Sequence, residues 1–220
     1  MTGFPGMTNV PQNKIEVVGN PLRWNSLPER SSEIYKHFGL DENKKTIVVM
    51  GGSQGARFVN HAILNLPETL LANSEYQWLI ISGKKMLEDV TSMVCKKHLK
   101  NIFVRDYVDE MDKLFAITDI AVTRGGAMTI SELETFGIPA VIVPIKNSIY
   151  NHQYKNGMYL KSKRDSVIVI DEDDVFDALG QSIEMLVTAE KNPNPRSSHT
   201  EALEVIVSII ENLVRSEKIC

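Results

Sequence analysis

The stretch from Ile120 to Gln153, IAVTRGGAMTISELETFGIPAVIVPIKNSIYNHQ, constrains the fold more than any other part of the chain. Ile120-Ala121-Val122 is a short apolar run suited to a buried parallel strand. Arg124-Gly125-Gly126 breaks it, and the glycines let the backbone turn sharply and approach a ligand closely. Ala127 to Phe136 then has helical periodicity, with Met128, Leu133 and Phe136 placed to share a buried side. Gly137 stands where a left-handed helix stop belongs, Pro139 follows, and Ala140–Val143 reads as the next buried strand. A glycine turn leading straight into a helix leaves backbone N–H groups at the positive end of a helix dipole, which suits an anion, phosphate above all. The same residues admit a plainer role. Strand-to-helix connections need tight turns whether or not they bind anything, and Thr129-Ile130-Ser131-Glu132 fits a capping box that would make Glu132 a helix-start stabiliser.

A second unit of this kind precedes it. Thr46–Met50 is an apolar strand that runs into Gly51-Gly52-Ser53-Gln54-Gly55-Ala56 and then a helix carrying Phe58, Val59, Ala62, Ile63 and Leu66 at helical spacing. No Lys-Ser/Thr pair follows the glycines, so this is not a P-loop, and the spacing is not GxGxxG. Its glycines can still bare N–H groups toward a diphosphate. Lys14–Val18 reads as a short strand ending in Gly19-Asn20-Pro21-Leu22-Arg23, a turn that leaves Arg23 on a loop. Further strands are expected at Gln77–Ile81, Asn101–Val104 and Ser166–Ile170. Further helices are expected at Ser32–Phe38, Met86–Leu99, Met111–Ala116, 151–161 and 175–187, with a last amphipathic helix over Thr200–Val214 whose stripe is Leu203, Ile206, Ile210 and Leu213. Strands alternating with helices predict an α/β fold, a doubly wound, Rossmann-like parallel sheet covered on both faces. Ligands in such sheets lie beyond the carboxyl ends of the strands, where this chain places 51–55, 107–108, 124–129 and 145–153.

Composition narrows the partners. With 220 residues, 43% hydrophobic and 24% charged, the chain can build one sizeable core, and its net charge of -4 gives no footprint for nucleic acid. No apolar run is long enough for a transmembrane segment, and the N-terminus lacks the order of a signal peptide. Cys95 and Cys220 have no metal-ligand or CxxC spacing and read as reduced thiols. Residues 1–13 (MTGFPGMTNVPQN) form a Gly/Pro/Asn/Thr-rich stretch that reads as an interdomain linker, leaving 14–220 as the functional domain.

Gly19-Asn20-Pro21-Leu22-Arg23, Gly51–Ala56, Tyr107-Val108-Asp109-Glu110-Met111, Arg124–Glu132 and His152-Gln153 occur in the order found in the MurG family, which the chain resembles over nearly all of 15–215. These bacterial transferases add N-acetylglucosamine to lipid I in peptidoglycan synthesis, and the resemblance is to the C-terminal, donor-binding half of that GT-B fold. It implies binding of UDP-N-acetylglucosamine, with Arg23 and the backbone around Ser53 facing the diphosphate and Met128 and Thr129 closing on it from the helix N-terminus. It implies that Val108 recognises uracil through main-chain groups, that Glu132 accepts hydrogen bonds from both ribose hydroxyls, and that Gln153 reaches the sugar hydroxyls. Gly52, Gln54, Gly126, Ala127, His152 and Asn156 are its neighbouring candidates, although a histidine at 152 departs from the second polar side chain the family often has there.

The resemblance further implies inverting transfer without a bound metal or cofactor, the departing UDP being stabilised by helix dipoles and backbone donors. It places no catalytic residue here, because the general base and the lipid I surface belong to an N-terminal half without a counterpart in these residues. The parent protein is then expected to be cytoplasmic and peripheral on the inner face of the inner membrane. Two other readings fit the same motifs: a stand-alone nucleotide-sugar-binding subunit that pairs with a membrane-bound acceptor subunit, and a GT-B-like epimerase or nucleotide-sugar hydrolase.

Overall fold

A computed structural model describes residues 3–4, 13, 15–24, 26–146, 148–193 and 198–217, with the side chains of 52–56, 149, 198, 216 and 217 outside the description. The chain runs α1 (Ser32–Phe38), β1 (Lys45–Met50), α2 (Gly52–Leu64), α3 (Glu68–Leu71), β2 (Tyr76–Ile81), α4 (Leu87–Lys96), β3 (Ile102–Arg105) and α5 (Met111–Ile117). It continues through β4 (Ile120–Thr123), α6 (Ala127–Phe136), β5 (Ala140–Ile142), α7 (His152–Lys163), β6 (Val167–Val169), α8 (Val175–Leu186) and α9 (Ser198–Glu217). Among the described residues the six strands are all parallel, in the order β3-β2-β1-β4-β5-β6. The doubly wound sheet expected from the strand–helix alternation is therefore present.

Side-chain alternation explains the two layers. On β1, Ile47 and Val49 point into one core with Trp78, Ile80, Val122 and residues of α2, α4 and α8. Val48 and Met50 point into the other, with Leu79, Ala121, Ile142 and residues of α1, α5, α6 and α7. Successive strand residues face opposite sides, so a strand buried on both faces must be apolar throughout. At the lower edge, Asp119 accepts hydrogen bonds from Arg30 (2.9 and 3.0 Å) and from the Thr46 N–H (2.7 Å), tying the start of β1 to the chain entering β4.

α6 ends as the sequence implies. Gly137 has φ 65°, its N–H bonds to the Glu134 carbonyl, and the Ile138 N–H reaches Leu133. Four expectations need correction. Lys14 lies outside the described residues, and 15–18 show only an isolated bridge at Val17, because this segment lies outside the six-strand ladder. α4 is shorter than read, since a 3-10 turn occupies 84–86 and His98, at φ 53°, is past the helix end. Met128 does not join Leu133 and Phe136 in the core; it is 42% exposed, because the first turn of α6 projects beyond the sheet edge. The α9 stripe also faces outward, with Leu203, Ile210 and Leu213 exposed, and that helix meets the domain through His199 and Ala202 instead.

Candidate functional site

The strand order reverses direction between β1 and β4, which are adjacent and in register from Ile47 opposite Ile120 to Met50 opposite Thr123. The chain leaves β1 toward one face of the sheet and β4 toward the other, opening a crevice at their carboxyl ends where ligands of this architecture bind. α2 and α6 both start there. Their N-caps are Gly51 and Gly126, neither supplies a side-chain hydrogen bond, and neither first turn carries an acidic residue. By contrast, the α1 N-cap Ser31 accepts from the Ile34 N–H. Helix geometry leaves the first N–H groups of α2 and α6 without intrahelical acceptors, so two positive dipole ends face one crevice.

The turn after β4 is braced from beneath. Buried Arg124 donates from Nη1 to the Val143 carbonyl (3.0 Å), pairs with Glu172 at 2.6 Å, and lies over the Phe58 ring at 4.9 Å. Burial draws its guanidinium below the ordinary arginine value, opposed by the Glu172 carboxylate. Glu172 also accepts from the Lys146 N–H (3.1 Å), so one pair joins the ends of β4, β5 and β6. Gly125 is required for space: a Cβ there would lie 2.2 Å from the Gln153 carbonyl oxygen. Asn156 donates to the Gly125 carbonyl at 3.0 Å, and Gln153 Oε1 accepts from the Ile145 N–H at 3.0 Å. Asn156 is thus committed to the turn, whereas Gln153 Nε2 has no partner among the described residues. Tyr150 and Asn151 enter α7 with φ of 52° and 54°, a left-handed pair that costs backbone energy in a tyrosine. His152 is exposed on the first turn of α7.

Glu132 is the sixth residue of α6, not the third, because the helix begins at Ala127 with Gly126 as its cap. The capping-box reading therefore falls. Its partly buried carboxylate makes no hydrogen bond among the described residues; burial pushes its pKa up to about 7, and Arg23 pulls the other way. Arg23 is exposed on the loop that follows Gly19, which holds φ 83°. Thr129 lies on the same first turn as exposed Met128. The side chains of Gly52, Ser53, Gln54 and Ala56 lie outside the described residues, although their backbone is the first turn of α2. Val108 is buried after β3, and its backbone N–H and carbonyl take no partner among the described residues. β3 lies three strand positions from β4, roughly 14 Å, a span that matches a nucleotide better than a single phosphate.

A cleft of about 650 Å³ flanks this crevice beyond β5 and β6, lined in part by Lys146, Asn151, Tyr154 and Asp174. None of Arg23, Val108 or Glu132 lines it, so it is a neighbour of the crevice and not its centre. One contact had no sequence signal. The GNPLR loop is fixed by Asn20, which donates from Nδ2 to Ser131 Oγ (2.8 Å) and from its N–H to His199 Nδ1 (2.9 Å), a residue 179 positions away.

The family model for the glycosyltransferase family 28 C-terminal domain matches residues 46–213. A Bacteroides fragilis protein named UDP-N-acetylglucosamine–N-acetylmuramyl-(pentapeptide) pyrophosphoryl-undecaprenol N-acetylglucosamine transferase is 35% identical over 82% of the chain and 48% of its own length. A Bacillus pumilus protein of the same name is 34% identical over 89% of the chain and 54% of its own length. The chain thus spans about half the length of the curated relatives it matches. Among solved structures, Acinetobacter baumannii MurG superposes with a TM-score of 0.66 at 18% identity, over 96% of this chain and 59% of that one, a likeness of fold.

Proposed function

The chain belongs to the glycosyltransferase family 28 C-terminal domains, and on that footing we propose that it binds UDP-N-acetylglucosamine as the donor half of an inverting N-acetylglucosaminyltransferase. Its acceptor is lipid I, undecaprenyl-diphospho-N-acetylmuramoyl-pentapeptide, and its place is peptidoglycan synthesis. The relatives' names specify this donor sugar and a polyprenol-linked acceptor. Because that acceptor is a lipid, the assembled protein works at a membrane surface, on the cytoplasmic side where UDP-sugars are made. Among the described residues no helix is long and apolar enough to cross a membrane. Residues 14–220 are the donor-binding domain, and the acceptor site and general base lie on a separate half.

One observation carries the reading: two uncapped helix N-termini meet at the β1/β4 crevice, beside Arg23 and a carboxylate that has no hydrogen-bond partner among the described residues. The diphosphate sits on the N–H groups of α2 and α6 with Arg23 as its cation, and the ribose hydroxyls donate to Glu132. Uracil meets the backbone of Val108, while Gln153, with Gly126, Ala127, His152 and Asn156 nearby, borders the sugar. As the glycosidic bond breaks, negative charge grows on the departing diphosphate, and fixed N–H dipoles stabilise that charge without reorganising. Calorimetry with UDP-N-acetylglucosamine, UDP-glucose and UDP tests the proposal. Binding of all three, tightest for the N-acetylglucosamine donor, is expected; no heat with any of them overturns it. Incubation with donor and a lipid I analogue should give no transfer by this chain alone, and turnover would place the base within these residues.

A further inference from the structure

Resting on that reading, we infer that His199 is a positioning residue for the diphosphate contact, holding the Arg23 loop against α6 from the far end of the chain. His199 is wholly buried at the start of α9 and faces two partners. Its Nδ1 accepts the Asn20 N–H at 2.9 Å, so that nitrogen carries no proton, and the ring proton sits on Nε2, which donates to Glu134 Oε2 at 3.0 Å. Glu134 is fixed in turn: Arg164 donates to its backbone carbonyl (2.8 Å), and the Tyr159 hydroxyl bonds its carboxylate. The Phe4 ring meets the imidazole edge-on, with centroids 5.5 Å apart.

Asn20 therefore has two anchors, Ser131 through its side chain and His199 through its N–H. Pro21 follows at a fixed φ, and Arg23 is three residues from Asn20. Ser131 precedes Glu132 and donates to the Ala127 carbonyl in the first turn of α6. One network thus registers the arginine loop against the helix that offers the phosphate N–H groups. Without an acceptor at Nδ1 the part-buried Asn20 N–H is orphaned, and the loop gains by swinging toward solvent. The base contact on Val108 does not depend on that loop, and the ribose contact on Glu132 meets it only through the charge of Arg23.

The test compares UDP with uridine. His199→Leu fills the site but removes the acceptor; it should weaken UDP about tenfold, one hydrogen bond's worth, and uridine by less than about twofold. His199→Asn restores an acceptor at the Nδ1 position and should return UDP affinity to near wild type. Equal losses for UDP and uridine, or an unchanged UDP affinity in His199→Leu, overturn the positioning role while leaving donor binding intact. A wild-type chain that binds no UDP overturns the donor reading and this role together. Should His199→Leu not fold, amide exchange at Asn20 decides. Slow exchange in wild type and His199→Asn supports the contact, and fast exchange in both overturns it.

Discussion

At the scale of single residues, Glu132 and Arg23 are the two charged side chains beside the β1/β4 crevice whose loss is most readily measured. A carboxyl raised from 4.5 to about 7 in the fold binds protons that the unfolded chain has released. Between those values the native state holds the extra proton, so Glu132 makes stability fall as pH rises through that window. Glu132→Gln should flatten this part of the stability–pH curve, measured by urea unfolding between the two pH values; an unaltered slope would assign it to another group. On the proposed ribose contact, in which the hydroxyls donate to the ionised carboxylate, donor binding has the opposite preference. UDP-N-acetylglucosamine, whose diphosphate has no proton to lose near neutrality, should release a proton from wild type and none from Glu132→Gln. Calorimetry in two buffers of different ionisation heat reads this directly, and proton uptake would sink the ribose contact. A double cycle tests the ribose contact: Glu132→Gln should weaken UDP more than 2′,3′-dideoxy-UDP, with a coupling of roughly 1–2 kcal/mol. Arg23→Ala should cost about 1.5–3 kcal/mol of UDP binding, the worth of a charge-assisted hydrogen bond. An unchanged affinity would make Arg23 a solvated surface charge.

At the scale of elements, the turn between β4 and α6 depends on two glycines with different duties. A Cβ on Gly125 would meet the Gln153 carbonyl at 2.2 Å, so Gly125→Ala must push the start of α7 away and loosen the Asn156 and Gln153 hydrogen bonds. A destabilisation of about 1–3 kcal/mol is expected. At Gly126 the nearest atom to a Cβ is Thr129 Oγ1 at 3.8 Å and the backbone is extended, so Gly126→Ala should leave the melting temperature alone. If phosphate packs on Gly126, the same change weakens UDP; equal melting losses for both glycines would show that the turn is uniformly crowded. The sequence made this turn legible because glycine, proline and apolar runs act locally, and Gly137 ends α6 where its position implied. The pattern Thr129-x-x-Glu132 misled for the same reason: a capping box is local, and it looks alike at a helix start and one turn inside. Arg124 as a brace, His199 on Asn20 and the outward side of Met128 were not legible, since each depends on which distant segments the fold brings together.

At the scale of the whole molecule, α9 leaves most of its apolar stripe uncovered by the domain. His199 and Ala202 are wholly buried, whereas Leu203, Val207, Ile210 and Val214, at successive turns, are 46–58% exposed. Periodicity predicts that a helix has an apolar face but not whether this domain covers it. The two faces of α9 should therefore respond oppositely to charge. Ile210→Glu adds a carboxylate where water already reaches and should change stability by no more than about 0.5 kcal/mol, as surface substitutions do. UDP affinity should stay the same, since the proposed donor crevice lies beyond β1 and β4. Ala202→Glu forces a carboxylate into a closed contact beside the His199 pair and should cost several kcal/mol, roughly 3 or more. Urea unfolding of both variants, with UDP titration of whichever folds, reads the contrast. An Ile210→Glu variant that unfolds as readily as Ala202→Glu would mean that the stripe is inward in solution and that α9 packs by its apolar face after all.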